Sequence, residues 1–355
     1  MTGLAGRWNV PVIVPATASV CAVELATLSA ALRSDLSITS IGILMACFHA
    51  GYLMADPLRR RHTFGGGTLA IVTVLAAACL CVIGLTWSVP LLALALFLFN
   101  SVAQAYRRSV KDLVPVPSVI KNTGKATGMV FGGAIGAIHY GPIALMIFVL
   151  YFATLRQMRS AAPTPVAAQA LGRRDRMLLW GEFFHHAHYF AYCYNFWYLA
   201  PSLISPWTGL WFVLGWLAYF VTERIWREGR RTFAPKAIAA GHTLVAVGLI
   251  AMSHANTVGV LIAWFATGLG GGTAYMLGNS GHHGPRERFE DAGHVTGVLI
   301  AALLALFVRT NRDAAELTVI AGACLAVVTA ILFMSVSPRG LDRDTQRIGE
   351  GNARR

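Results

Sequence analysis

The sequence predicts an all-α membrane protein. Of its 355 residues, 56% are hydrophobic and only 13% are charged, and the mean hydropathy is +0.58. Soluble domains usually carry about a quarter charged residues. Apolar stretches of about 17–25 residues, the length that crosses hydrocarbon as a helix, recur along the whole chain and give about 12 transmembrane helices.

The predicted spans follow one another through mostly short loops. They cover residues 11–32, 36–55, 66–86, 90–106, 126–140, 142–158, 177–198, 206–223, 236–254, 257–277, 294–309 and 316–336. An even number of spans places both termini on one side of the membrane.

The basic residues identify that side. Among the 29 Lys and Arg, only Arg33, Arg309 and Arg312 fall in loops on the opposite side. Cytoplasmic loops carry the excess of Lys and Arg, so both termini are predicted to be cytoplasmic. The net charge of +13 is therefore a topology signal, and we expect no binding of nucleic acid.

The chain is predicted to divide into two six-helix bundles. A Pro- and Ala-rich stretch at its middle indicates a cytoplasmic linker over residues 159–176. The N-terminal bundle then covers residues 1–158 and the C-terminal bundle residues 177–338, and residues 339–355 form a cytoplasmic tail.

A similar charge pattern follows the second span of each bundle. An acidic residue and then a cluster of arginines occur in "YLMADPLRRR" (Tyr52–Arg61) and in "YFVTERIWREGRR" (Tyr219–Arg231). The first copy matches the loop signature Gly-x-x-x-Asp-(Arg/Lys)-x-Gly-(Arg/Lys)-(Arg/Lys) at Asp56, Arg60 and Arg61, with Tyr52, Pro57 and Arg59 departing from it. The second copy matches it more loosely at Glu223, Arg224, Arg230 and Arg231. By this motif and by topology, the chain resembles a short and divergent transporter of the major facilitator superfamily (MFS).

That resemblance implies two bundles that rock about a central cavity, the alternating-access mechanism of secondary transporters. It also implies a gate at the loop after each second span, at Asp56, Arg60, Arg61, Glu223 and Arg230. An acid beside arginines can pair with the neighbouring cytoplasmic helix and hold the gate in one state. The alternative is that these arginines only set the topology and that Asp56 caps a helix.

Glu24 lies near the middle of the first predicted span. An ionised carboxylate is costly there, so it should face a cavity or a partner, or stay protonated. We expect Glu24 to couple transport to protons, and the alternative is a structural hydrogen bond to another helix.

The seventh predicted span opens the second bundle with "GEFFHHAHYFAYCYNFWYL" (Gly181–Leu199). At 100° per residue, Glu182, His185, His186, Tyr189 and Cys193 share one face of a helix. Histidine titrates near neutral pH, so Glu182, His185 and His186 are predicted to join Glu24 in proton coupling. The predicted substrate cavity comprises His188, Tyr189, Tyr192, Cys193, Asn195, His49 and Asn100.

Two other interpretations of the histidines stay open. A copper or zinc ion suits imidazole ligands, and the candidate ligands are Glu182, His186, His185 and His188. A membrane metalloenzyme of the histidine-box type is the more remote alternative, because the histidines are too few and wrongly spaced. Structural hydrogen bonds between helices would account for part of the pattern without any of these functions.

Glycines recur every four residues in the fifth predicted span, at Gly124, Gly128, Gly132 and Gly136. A row of small residues lets another helix pack closely. We therefore predict a tight helix contact along this face.

Together these features predict a secondary active transporter, coupled to protons, that moves a small organic solute, with efflux favoured over uptake. The alternative substrate is a transition metal or a metal chelate. We expect a multi-pass monomer in the cell (inner) membrane, with the bilayer, protons and substrate as partners and with neither a cofactor nor enzymatic activity.

Overall fold

The computed structural model describes residues 5–61, 71, 72, 75, 88–113, 118–136, 173–229, 235–274 and 283–336. Within these ranges the chain forms α-helices, short 3₁₀ helices and turns, without a strand. The α-helices are α1 (Ala5–Arg33), α2 (Ile38–Arg61), α3 (Val89–Leu113), α4 (Ser118–Gly136), α5 (Arg173–Tyr192), α6 (Thr208–Gly229), α7 (Pro235–Ser253), α8 (Thr257–Gly271), α9 (His283–Leu304) and α10 (Asn311–Met334). The 3₁₀ helices include Phe196–Leu199, Pro201–Leu203 and Ala305–Phe307.

Seven of the described helices are long and apolar enough to cross a membrane, namely α1, α2, α3, α7, α8, α9 and α10. This confirms the prediction of an all-α, multi-pass membrane protein. The predicted span 142–158 lies outside the described residues, as does most of the span 66–86. The total of 12 spans and the cytoplasmic position of the termini therefore remain predictions.

The helices pack as two groups. In the N-terminal group, α1–α4, α1 packs against α4 and α2 packs against α3. In the C-terminal group, α5–α10, α5 packs between α9 and α10, α7 contacts α8 and α10, and α6 packs on α8. The groups meet where α2 contacts α9 and where α4 contacts α6.

The predicted glycine row does form a close helix contact. Gly124, Gly128, Gly132 and Gly136 of α4 lie against the α1 backbone. A β-carbon on Gly132 would fall 2.6 Å from the Cα of Ala22, closer than packed atoms approach. Only glycine therefore permits this separation, which follows the small-residue rule for helix contacts in membranes.

Two ends of the helix assembly matter for the site. The Arg33 end is where α1, α5 and α9 finish and where α2, α6 and α10 begin. The opposite end, which we call the Arg61 end, is where α2 finishes and where α5 and α9 begin.

The prediction of one continuous helix through residues 177–198 was wrong. The helix α5 ends at Tyr192, and the chain continues as a turn over Cys193–Asn195 and the 3₁₀ helix Phe196–Leu199. Every residue from Ala191 to Leu199 is buried. A helix that is apolar all round is also buried, so the run of apolar residues does not distinguish this turn and 3₁₀ helix from a continuation of α5.

Candidate functional site

A buried hydrogen-bond network joins the two groups of helices near the middle of α2. The Tyr194 hydroxyl donates to Glu24 Oε1 at 2.5 Å, and His49 Nε2 lies 2.6 Å from the same hydroxyl oxygen. Glu24 comes from α1, His49 from α2 and Tyr194 from the turn after α5. All three side chains are almost fully buried. The turn that ends α5 is therefore what brings Tyr194 to the carboxylate.

A second series of polar side chains begins next to His49 and runs towards the Arg61 end. The rings of His49 and His294 lie 5.2 Å apart, centre to centre. His294 Nε2 is 2.9 Å from His186 Nδ1, and His186 Nε2 is 3.3 Å from Glu182 Oε1. Arg286 donates to the same Glu182 oxygen at 2.9 Å. Three imidazoles, a carboxylate and an arginine thus follow one another, in that order, through the interior of the protein.

The histidines of α5 separate into two directions. His186 points to His294 of α9, whereas His185 and His188 lie beside His242 of α7. The metal set Glu182, His185, His186 and His188 therefore does not gather around one point. Instead, His185, His188 and His242 form one cluster, and His186, Glu290 and His294 form another.

Ion pairs connect the helices at the Arg61 end. Arg108 of α3 donates to Asp291 Oδ2 of α9 at 2.6 Å and lies 3.1 Å from Asp56 Oδ1 of α2. The arginine and Asp291 are buried, and Asp56 is mostly so. A cavity of about 330 Å³ adjoins them, lined by Leu53, Asp56, Pro57, Arg108, Arg288 and Asp291.

Of the predicted gate residues, Asp56 therefore has an arginine partner, but it is Arg108 of α3. The side chains of Arg60 and Arg61 lie outside the described residues, and so does the whole of Arg230. Glu223 is buried near the end of α6.

The remaining predicted cavity residues are packed into the protein. Asn100 Nδ2 donates to the Phe48 carbonyl at 2.6 Å, which joins α3 to α2. Tyr189 and Tyr192 pack against Trp264 of α8, and Cys193 is fully buried beside them. Asn195 is buried as well, and its Nδ2 donates to the carbonyl of Ala191 at 3.4 Å.

Sequence reasoning missed six members of these networks: Arg108, Tyr194, His242, Arg286, Asp291 and His294. Two misses share one cause. The predicted span 294–309 begins after Arg286 and Asp291 and so leaves both in the preceding loop, whereas α9 begins at His283. His242 and His294 each stand in an apolar segment, and an intramembrane ionisable residue is itself a sign of function.

The chain matches no protein-family model and no curated protein sequence. Solved structures of transporters do match its fold. A nucleoside transporter, NupG, superposes with a TM-score of 0.68 at 10% identity, covering 93% of this chain and 99% of NupG. A bacterial homologue of the human lysosomal transporter Spinster gives 0.68 at 11% identity, covering 93% of this chain and 97% of its own. A peptide transporter, POT, gives 0.64 at 12% identity with 94% of both chains covered.

At such low identity the likeness shows the fold alone. The chain therefore shares its fold with these solved transporters, which is the fold that the resemblance drawn from the motif and the topology implies.

Proposed function

We propose that this protein is a secondary transporter that works by alternating access and couples the movement of a small organic solute to protons. Residues 1–158 and 177–338 are the two bundles that move against each other, joined by the linker 159–176. The Arg61 end faces the cytoplasm, together with both termini, in the cell membrane.

The observation that carries the proposal is the buried series of titratable groups that crosses between the bundles. It comprises Glu24, Tyr194 and His49, followed by His294, His186 and Glu182. Most of these side chains have a hydrogen-bonded titratable neighbour from a different segment of the chain. Ionisable residues at this depth are costly unless they serve a pathway or a partner.

Proton movement along the first part follows from the hydrogen bonds. As a carboxylate, Glu24 accepts from the Tyr194 hydroxyl, so His49 must donate to that hydroxyl through Nε2–H. When Glu24 binds a proton it becomes the donor to the Tyr194 oxygen, and His49 can accept from Tyr194 in the tautomer that carries its hydrogen on Nδ1. If Glu24 then passes its proton to the Tyr194 oxygen while Tyr194 passes its hydrogen to His49 Nε2, Glu24 is again a carboxylate and His49 is doubly protonated. Release of the Nδ1 hydrogen then delivers one proton on the far side of the His49 ring.

Between His49 and His294 the series has no hydrogen bond among the described residues. The Nδ1 atoms of His49 and His294 are both buried and without a partner there. Their rings are edge to face at 5.2 Å. We place the conformational control of coupling here, because His49 moves with one bundle and His294 with the other.

Arg108 supports a gate at the cytoplasmic end. It belongs to the first bundle but donates to Asp291 of the second, while Asp56 holds it from α2. A buried ion pair is strongly destabilised when one partner is lost, so protonation or separation of these carboxylates would release the bundles.

The fold neighbours include a nucleoside transporter and a peptide transporter, which supports a polar organic solute. We favour efflux as the direction. The second candidate substrate is a transition metal or its chelate, which the gathering of six histidines on α2, α5, α7 and α9 favours. We propose no catalytic activity and a monomeric state.

Proteoliposomes that hold a pH-sensitive dye test the proposal. A panel of nucleosides, dipeptides and hydrophobic amines is added with and without an imposed pH gradient. We expect at least one solute to move protons with the wild-type protein and to lose this coupling in Glu24→Gln. A solute that is carried equally well without a gradient, and equally by Glu24→Gln, would exclude proton coupling at this residue.

A further inference from the structure

Three histidines form a compact cluster beside the buried series of titratable groups that runs from Glu24 to Glu182. His185 and His188 come from α5, and His242 comes from α7. All three are buried, at 4%, 1% and 0% exposure, and one ring nitrogen of each lies within 4.8 Å of the others. The cluster shares none of these residues with the hydrogen bonds that run from Glu24 to Glu182.

Backbone hydrogen bonds fix the tautomers of two of these rings. His242 Nδ1 lies 2.8 Å from the Ile238 carbonyl, and His188 Nδ1 lies 3.3 Å from the Phe184 carbonyl. A carbonyl only accepts, so each Nδ1 carries the hydrogen and each Nε2 carries a lone pair. Histidines that ligate metals are held in this way, with the other ring nitrogen donating to a carbonyl or carboxylate.

We propose that His185, His188 and His242 bind one transition-metal ion of the kind that imidazole ligates, such as Zn²⁺. His185 Nδ1 is already 2.9 Å from His242 Nε2. Zinc–nitrogen bonds of about 2.0–2.1 Å in a tetrahedral site hold nitrogens about 3.3 Å apart, so ring rotations must bring nitrogens that now lie within 4.8 Å of one another to that spacing. On binding, His185 moves its hydrogen from Nδ1 to Nε2, and no net proton need leave the site.

The second histidine group is less suited to this role. His186 is engaged at both ring nitrogens, through Nδ1 with His294 and through Nε2 with Glu182. To ligate a metal it must give up one of these bonds. In the three-histidine cluster only the bond between His185 Nδ1 and His242 Nε2 is given up, and both of those nitrogens become ligands. Three histidines plus one open position is also a known zinc arrangement.

This inference does not rest on the proposed transport function, because it uses other side chains and is measured without any solute. The experiment uses the full chain, purified in detergent, stripped of metal and titrated with Co²⁺ and then with Zn²⁺. We expect one ion per chain, the visible spectrum of tetrahedral Co²⁺, and its loss when Zn²⁺ displaces the cobalt.

Variants locate the ion. Loss of a positioning group near a metal weakens binding by about 10–100-fold, so removal of a ligand in His242→Gln or His188→Gln should weaken it at least as much. His254→Gln is the matched control, since His254 is an exposed histidine just after α7. It should bind as the wild type does.

Each other outcome overturns the inference. Failure of the wild type to bind Co²⁺ or Zn²⁺ would do so, and so would full binding by both His242→Gln and His188→Gln. Binding that is lost in His294→Gln but kept in His242→Gln would move the ion to the other histidine group. A single eluting species for each variant excludes misfolding as the cause, and two ligand variants on different helices guard against the failure of one.

Discussion

The same two groups of helices are joined at both ends, but by different chemistry. At the Arg33 end the contacts are neutral: the Ile38 amide donates to Asn311 Oδ1 at 3.1 Å, and the Tyr198 hydroxyl donates to the Leu36 carbonyl at 2.5 Å. At the Arg61 end, buried ion pairs join them through Arg108 and its two aspartates.

The two kinds of contact differ in whether protonation can change their strength. A neutral hydrogen bond to a backbone carbonyl contributes about 0.5–1.5 kcal/mol and does not depend on protonation near neutral pH. A buried ion pair depends on the charge of its carboxylates, and losing one partner costs about 3–5 kcal/mol. We therefore infer that the ionic end responds to protons, whereas the neutral end follows through the rigid helices α2 and α9.

Replacing Arg108 should have the largest effect. Arg108→Ala removes the buried cation that pairs with both Asp291 and Asp56, which should lower the free energy of unfolding by about 3–5 kcal/mol. Thermal unfolding in detergent measures this, and spin-label distances should show the Arg61 end open. Arg108→Lys restores a point charge and should recover part of the stability. An unchanged free energy of unfolding in Arg108→Ala would show that these ion pairs do not stabilise the fold.

A bulkier side chain at the Arg33 end should open that end instead of the Arg61 end. A β-carbon on Gly42 would lie 2.6 Å from the Ala302 Cβ, so Gly42→Val forces α2 away from α9 near the Arg33 end. Overpacking costs about 1–3 kcal/mol. The Arg33 end should open while the Arg61 ion pairs persist, as measured by the same distances. Opening of both ends together would contradict two alternating gates.

Loss of one neutral hydrogen bond should have a smaller effect. Tyr198→Phe removes the bond to the Leu36 carbonyl but keeps the ring, so the free energy of unfolding should fall by about 1 kcal/mol. Its pH dependence should match that of the wild type. A changed pH profile would show that the Arg33 end titrates after all.

The exposed ion pair between Arg312 and Glu316 should matter least. Both side chains are largely in solvent, at 67% and 38% exposure. Surface pairs one helical turn apart contribute about 0.3–0.5 kcal/mol, so Arg312→Ala should unfold almost as the wild type does. A loss as large as that of Arg108→Ala would mean that burial does not distinguish the two ion pairs.

The sequence predicts the all-α, multi-pass class of the fold, because apolar length reports on single segments. The glycine row of α4 and the charge of Glu24 within α1 were also visible, since each lies on one element. Which histidines contact one another was not visible, because that depends on how the helices are rotated against one another. His186 and His185 are adjacent in sequence, yet one meets His294 of α9 and the other His242 of α7.

The turn after α5 explains the remaining error. Periodicity predicts that Cys193 continues the helical face of His186, but α5 ends at Tyr192 and Cys193 lies in the turn that follows. That break is what carries Tyr194 to Glu24. The side chain that links the two groups of helices is therefore the one that helical spacing alone could not locate.

Paired spin-label distances at both ends test the central claim most directly. One pair replaces Met54 and Ile225, which are exposed near the Arg61 end, and the other replaces Ser34 and Arg312, exposed at the Arg33 end. Both are read at pH 5 and pH 8 in a background without the native cysteines. We predict that acidification changes the two distances in opposite directions, and that Glu24→Gln keeps the acidic distances at both pH values. Distances that respond to pH in Glu24→Gln as they do in the wild type would contradict proton-coupled alternating access through Glu24.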